Sequence, residues 1–291
     1  MNRPDKLNIN ATPVKFAEGF RYLEGPAFDR QGNLIVVDGS QSLVAKITPD
    51  GKWTEFCNTG GGPNGSSFHP DGRLFCADGK LRAIVEIPPA GGAFRIFVDH
   101  CSEDGQPFRG PNDLRFNHNG NLYWTDPPGS SIANPIGCVY WATPEGHVRR
   151  FTGGLAFPNG LCFSADWKTL LVAETTTDNI HAFEVRPDGS AGKHWIYAHL
   201  ESKGEPTPLG GADGMAFDAH GNLWVAHWGK GEVAVVDPAG KPLPSIAIPD
   251  RNVTNLAFRD KDVYVTAFEN HVASVYCLSV GVRGQTLFCG W

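Results

Sequence analysis

Long apolar runs are missing from this chain. None of its 291 residues lies in a stretch approaching the roughly 20 apolar residues of a membrane-spanning helix, and the opening MNRPDKLNINATPVKF has no hydrophobic leader core. Clustered positive charge is missing too. Lys and Arg number 25 against 31 Asp and Glu, a formal net charge of −6, which argues against a nucleic-acid footprint. The seven cysteines (57, 76, 101, 138, 162, 277 and 289) are odd in number, contain no CxxC and outline no disulfide framework. With the leaderless start, they are expected to be reduced core residues of a cytoplasmic protein. No GxSxG elbow, HExxH pair, Walker A loop or GxGxxG in its proper setting announces a competing chemistry. A helical period is also absent.

What the chain does have is one short phrase, six times. The phrases are EGPAFDRQGNLIVVD from Glu24, NGSSFHPDGRLFCAD from Asn64, NDLRFNHNGNLYWTD from Asn112, NGLCFSADWKTLLVAE from Asn159, DGMAFDAHGNLWVAH from Asp213 and TNLAFRDKDVYVTA from Thr254. Each has an apolar strand ending on Phe, a polar turn that mostly carries Gly, and a second apolar strand, which is the chemistry of a hairpin. The anchors Phe28, Phe68, Phe116, Phe163, Phe217 and Phe258 are 40, 48, 47, 54 and 41 residues apart. That period, with further strand-like runs after each hairpin, predicts an all-β, six-bladed β-propeller occupying residues 1–291 as one domain. The 35 Gly and 22 Pro suit its many turns. Val14–Phe16 and the run SVYCLSV (274–280) both look able to complete the last blade, and the sequence does not choose between them.

Four residues before each Phe stand Glu24, Asn64, Asn112, Asn159, Asp213 and Thr254, all with side-chain oxygen. Packing gives no reason for an oxygen at one recurring slot. In a propeller the first strand of each blade lines the central channel, so these six should ring its mouth. The second strands should return Asp38, Asp78, Asp126, Glu174 and His227 to the same mouth, and His69, His118 and His220 should fall in turns on the opposite face. The longest loops, 99–111, 127–137 and 199–212, would overhang the mouth, where specificity usually resides. Converging carboxylates repel and desolvate at a cost of several kcal/mol unless a cation joins them. Carboxylate and amide oxygens suit a hard divalent cation in the channel, with positions left open for water or substrate. Asn64 and Thr254 read as lining.

At these residues the chain resembles the gluconolactonase/regucalcin family of six-bladed propellers, whose relatives include diisopropyl fluorophosphatase. The resemblance rests on Leu-Glu-Gly-Pro (23–26), Pro-Asn-Asp (111–113), Pro-Asn-Gly (158–160) and Asp-Gly-Met-Ala-Phe-Asp (213–218), in order and at blade spacing. It implies one divalent cation held by Glu24, Asn159 and Asp213, with Asn112 as a further ligand or a water or substrate contact. Ca²⁺ stands ahead of Mg²⁺, Mn²⁺, Zn²⁺ or Fe²⁺. Arg109, three residues before Asn112, resembles the substrate-binding arginine of sugar lactonases, and Asp126 a third-blade acid near the metal. His227 departs from the family pattern. Beside Trp228, it is expected to contact substrate at the mouth.

The implied reaction is metal-assisted opening of a lactone ring, a sugar lactone such as gluconolactone first. Asp213 or Asp126 would serve as general base; Asp126, one step from the cation, keeps the more suitable pKa. Two other classes remain open: a metal-dependent phosphotriesterase of the diisopropyl fluorophosphatase type, and a non-catalytic binding propeller. The sequence leaves the oligomeric state open.

Overall fold

The computed structural model describes residues 6–200 and 210–290. Among these residues every regular element is a strand, and 24 strands form six four-stranded antiparallel sheets. The inner strands are Glu24–Phe28, Pro63–Phe68, Leu114–Phe116, Pro158–Phe163, Gly211–Phe217 and Asn252–Arg259. Each of them pairs with the second strand of its own phrase, so the repeat read from the Phe anchors is the blade repeat. The turns between them are closed by the short polar loops, as in Asp29-Arg-Gln-Gly32, where Gly32 N donates to Asp29 O at 3.0 Å.

The last blade takes both ends of the chain. Its sheet runs Asn252–Arg259, Asp262–Glu269, Val272–Ser279 and then, as outermost strand, Val14–Phe20 from the N-terminus. Val14 pairs with Cys277 and Phe20 with Ala273. Neither terminal segment alone finishes the ring; the tail run is the third strand and the N-terminal run the fourth.

The core lies between blades. Trp224, Val233 and Val235 of blade five pack with Leu256, Val263 and Val265 of blade six, and Phe75 and Ile84 of blade two pack with Phe116, Leu122 and Trp124 of blade three. Side chains of this kind each contribute about 1.5–3 kcal/mol on burial, and they alternate with strand partners in the way a two-sided sheet requires. A buried loop residue extends this core upward. Phe108, fully buried, packs against Trp124 and Tyr140 at ring distances of 5.2 and 5.3 Å, which pins the long 99–111 segment to blade three. No helix among the described residues is long and apolar enough to cross a membrane.

The slot four residues before each Phe coincides with an irregularity in the ladder. In blades one, two, four, five and six the register of the inner strand shifts at or just after that residue. In blade three the strand starts only at Leu114, just after Asn112. A bulge bends the strand and re-aims a side chain. The ring of oxygens therefore sits on a line of bulges, where a regular strand would have turned the same residues into the blade interfaces.

Candidate metal centre

The ring residues differ sharply in what satisfies them. Glu24 is buried; its Oε2 accepts from Gly25 N and from Asn255 Nδ2, both at 3.1 Å. Asn159 is buried and spends its amide nitrogen on Thr175 Oγ1 at 3.1 Å, which leaves the carboxamide oxygen for the channel. Asp213 is 2% exposed, and its Oδ1 is buried with no hydrogen-bond partner. The Oδ1 of Asn112 is likewise buried and unpartnered. Asn64 is engaged with its neighbours: Tyr22 Oη donates to its Oδ1 at 3.4 Å, and its Nδ2 donates to Asn112 O at 3.3 Å. The Thr254 hydroxyl bonds Leu23 O at 2.6 Å and meets Thr266 Oγ1 at 2.8 Å, consistent with lining.

Electrostatics sets the carboxylates apart further. Burial, then the nearby charge of Asp113, pushes the Glu24 carboxyl up to about 8 against its hydrogen bonds from Asn255 and Gly25. Burial, then Glu24 and Asp113, drives Asp213 well above the usual carboxylate range. Tyr22 is raised as well, by burial and then by the charges of Glu24, Asp213 and Asp38.

Two residues of this cluster escape the six-oxygen pattern: Asp113 and Asn255. They stand one place after the ring slot, where the other four blades have Gly25, Gly65, Gly160 and Gly214. A side chain at Gly65 would collide with Asp113, and one at Gly214 with the Asn255 carboxamide. Gly65 and Gly214 thus leave room for a side chain of the following blade, and Gly25 and Gly160 for its backbone; the departures from Gly at that slot were the readable signal. Asp113 accepts from Leu114 N at 2.8 Å and Arg115 Nη1 at 3.3 Å, while its Oδ2 stays unpartnered. Burial raises its pKa in spite of Arg115.

The second-strand acids do not back the ring as expected. They tie down the chain that enters it. Asp38 accepts from Arg21 N (2.8 Å) and Tyr22 N (3.3 Å); Asp78 accepts from Gly62 N (2.7 Å); Glu174 accepts from Ala156 N (2.6 Å). Asp126, fully buried, accepts from Arg109 N at 2.9 Å and Gly110 N at 2.6 Å, one on each oxygen. Both of its oxygens are therefore taken by the loop two and three residues before Asn112. Burial raises the Asp126 pKa while those two N–H groups oppose the rise.

Blade five breaks this pattern, and the break explains His227. The acid of blades one to four is replaced by His227, where blade six has Ala267; His227 is 1% exposed, so it is no open substrate contact. Its Nε2 lies 3.2 Å from Asp178 Oδ1 and its Nδ1 3.2 Å from Glu232 Oε1. Asp178, from the blade-four turn, supplies the missing acceptor, taking Ala212 N at 2.9 Å just before Asp213. Burial lowers the His227 pKa, but the hydrogen bonds and charges of Asp178 and Glu232 win and raise it.

Arg109 is exposed, and its guanidinium donates to Ile136 O at 2.7 Å, strapping the 99–111 loop to the 127–137 loop. Trp228 is half-buried beside Tyr22 and Phe268, at ring distances of 6.4 and 5.2 Å, in the aromatic wall next to Glu24. Of the third long loop, residues 201–209 lie outside the described residues. On the opposite face, His69 is packed against Phe116 and Phe288 at ring distances of 5.5 and 5.7 Å.

The cluster fits a hard divalent cation on its own chemistry. Among the described residues no group of three or more His, Cys, Asp or Glu is assembled for a metal, so the donor set would be two carboxylates completed by amide oxygens. Among the described residues, Glu24 and Asp213, buried together with Asp113, find relief by charge only in Arg115 acting on Glu24, and Asp213 Oδ1 and Asn112 Oδ1 are acceptors that no donor reaches. Each unsatisfied buried group costs about 1–3 kcal/mol, more when charged. An oxygen-seeking cation relieves all of it at once.

Comparison with known proteins agrees with this architecture. The profile of the SMP-30/Gluconolactonase/LRE-like region matches residues 22–269. The chain is 30% identical to diisopropyl-fluorophosphatase of Loligo vulgaris over 95% of its own length and 94% of that protein. It is 28% identical to the gluconolactonase of Zymomonas mobilis subsp. mobilis, over 93% and 83% of the two chains. Among solved structures, a gluconolactonase from Xanthomonas campestris superposes with a TM-score of 0.79 at 26% identity, covering 92% of this chain and 90% of that one. A calcium-binding regucalcin from Agrobacterium tumefaciens shares the fold, with a TM-score of 0.77 at 21% identity over 92% and 96% of the two chains. The chain belongs to the SMP-30/gluconolactonase/LRE-like family.

Proposed function

We propose that this member of the family is a divalent-cation-dependent hydrolase that opens the ester ring of a lactone, a sugar lactone such as gluconolactone first. The observation that carries the reading is the pair of unpartnered oxygens, Asp213 Oδ1 and Asn112 Oδ1, buried beside Glu24 at the mouth of the channel. Glu24, Asn112, Asn159 and Asp213 would hold one cation, calcium ahead of magnesium, manganese, zinc or iron, because all four donors are oxygens. Bound there, the cation supplies Lewis-acid polarisation of the ester carbonyl, a contribution of several kcal/mol.

The chain's own residues do the rest. Asn112 orients substrate or water from the side of blade three, where its carboxamide oxygen has no competing donor. Asp213 is better placed as the proton acceptor than Asp126, whose two oxygens already receive N–H groups. Trp228 and Tyr22 offer aromatic faces to an apolar or sugar ring beside the buried carboxylates. Arg109 acts through loop position: its tie to Ile136 fixes the rim between the two loops. The substrate is a small molecule. The seven cysteines are all free and five are buried, which supports a reducing compartment, the cytoplasm.

The relation to diisopropyl-fluorophosphatase favours a second reading, hydrolysis at a phosphoryl centre by the same ring. One experiment separates them. Protein stripped with EDTA and reconstituted with one cation at a time is assayed on an aldonolactone panel and on diisopropyl fluorophosphate. Cation-dependent turnover of a lactone supports the first reading; turnover of the fluorophosphate alone replaces it with the second. Activity surviving complete chelation on both overturns the metal-centred mechanism.

A further inference from the structure

The opposite end of the channel encloses a cavity of about 340 Å³. Its walls are the six repeat anchors, Phe28, Phe68, Phe116, Phe163, Phe217 and Phe258, brought together because each ends its inner strand on that face. The C-terminal segment closes it from below. Gln285 is pinned to two blades, its N donating to Phe217 O at 2.9 Å and its Nε2 to Phe163 O at 3.0 Å, and Ala219 N donates to Arg283 O at 2.8 Å. Leu287, which lines the cavity, remains 48% exposed. The volume falls within the range of about 300–1,000 Å³ typical of small-molecule sites.

A void left by packing would be apolar throughout, and such voids stay dry and uncharged. This one is not. In a chain of net charge −6, four arginines line it, Arg30, Arg115, Arg259 and Arg283, against Asp29 and Asp260. Asp29 is already matched by Lys46 Nζ at 3.3 Å. Arg115 marks the polar pole. Its side chain is 13% exposed, and its Nη1 alone serves Ser66 O, Leu114 O and Asp113 Oδ1, at 3.2, 2.8 and 3.3 Å. No hydrogen bond of its Nε or Nη2 to a described residue is present, so half of a planar fork suited to carboxylate is left over beside an aromatic cage. Asp113 already pairs with Nη1, and an anion with an apolar body would engage the remaining edge of the guanidinium and so answer both halves of the lining.

We propose that this cavity binds an amphipathic monocarboxylate, its carboxylate on Arg115 and its apolar body among the phenylalanines. Arg115 joins this cavity to Asp113 of the mouth cluster, but the proposal does not depend on the reaction proposed there.

The test is isothermal titration calorimetry of the full chain in EDTA with sodium octanoate, alongside 1-octanol and sodium acetate. Chelation removes any carboxylate binding through a cation at the mouth, so the heat that remains reports on the floor. Octanoate is expected to bind saturably and one-to-one. Octanol, which lacks the charge, should bind at least about tenfold more weakly, the scale of one lost charge-assisted hydrogen bond, and acetate, which lacks the apolar body, more weakly by at least as much. Arg115→Gln should weaken octanoate by a similar factor. Ala216→Trp, which fills the cavity and leaves the arginines in place, should abolish binding while the protein still melts cooperatively; it decides the matter alone if Arg115→Gln does not fold. Absence of saturable octanoate heat, equal affinity for octanol, or undiminished binding in Ala216→Trp each overturns the proposal.

Discussion

Asp213 and Asp126 begin from the same position in physical terms: both are aspartates, both lie near the channel mouth, and they are 2% and 0% exposed. Two backbone N–H groups reach Asp126, at 2.9 and 2.6 Å, whereas no donor among the described residues reaches Asp213 Oδ1. The first carboxylate holds a loop together; the second is left with an oxygen to offer. Burial alone therefore does not mark a functional acid in this fold. Donor supply does. Asp113, with Oδ2 unpartnered, falls on the side of Asp213, and Asp38, Asp78 and Glu174 on the side of Asp126, while Glu24, with two donors on Oε2, stands between them.

The comparison can be broken most forcefully at Asp213. Asp213→Asn should lower cation-dependent lactone turnover by about a thousand-fold or more, the effect of losing several kcal/mol of transition-state charge stabilisation. In EDTA the same variant should melt higher than the wild type, because one of two repelling buried carboxylates is gone. A lower melting temperature in EDTA would show that Asp213 is a structural acid like Asp126.

Next in size is the pH dependence of the chelated protein. Glu24 and Asp213 have folded pKa values above their unfolded ones, so their protonated forms stabilise the fold. The Glu24 contribution is complete below the ordinary glutamate value of 4.5 and is lost as pH rises through about 8, and Asp213 acts in the same direction. Thermal melts in EDTA should therefore fall between those limits, and saturating Ca²⁺ should flatten or reverse the trend. A pH-independent difference between chelated and loaded protein would contradict the buried, uncompensated pair.

Asp126→Asn tests the other side. It places an amide nitrogen against a backbone donor, so it should cost about 1–3 kcal/mol of stability with or without cation. Denaturant melts would measure this, and kcat of the folded fraction should change little. A collapse of kcat at unchanged stability would return Asp126 to the role of general base.

The smallest expected effect is at His227. Its pKa is raised by Asp178 and Glu232, so its contribution is fully present below its ordinary value of 6.5 and is lost as pH rises through the raised folded value. Under saturating Ca²⁺, His227→Gln should be destabilising at pH 5.5 and approach the wild type in alkaline buffer. A constant difference across pH would reduce His227 to a neutral packing residue.

The propeller was legible because the repeat carries its own punctuation: Phe at each strand end, Gly-bearing polar turns after it, and an interval that only a blade requires. The ring of oxygens was legible because an alignment of the six phrases isolates one polar column. The contrast between Asp213 and Asp126 was not legible, since it depends on where the backbone N–H groups of residues 109 and 110 point. That is settled by the long loop and the burial of Phe108. Asp113 and Asn255 stood one column over, visible as the two departures from Gly, but their meaning lies in contacts between blades 48 and 41 residues apart in repeat spacing. His227 read as a mouth residue because its partner Asp178 comes from another blade and shares no pattern with it.

The pairing of Val14 with Cys277 has a consequence for how the molecule is made. Val14–Phe20 has no strand neighbour until Val272–Ser279 has been made and laid against Asp262–Glu269, so the ring is sealed between the two strands most distant in sequence. Until then Val14–Phe20 stays unpaired, and folding is governed by a contact of very high sequence separation, which is intrinsically slow. An N-terminal truncation that removes residues 14–20 should therefore be felt less as a lost strand than as a ring that never locks.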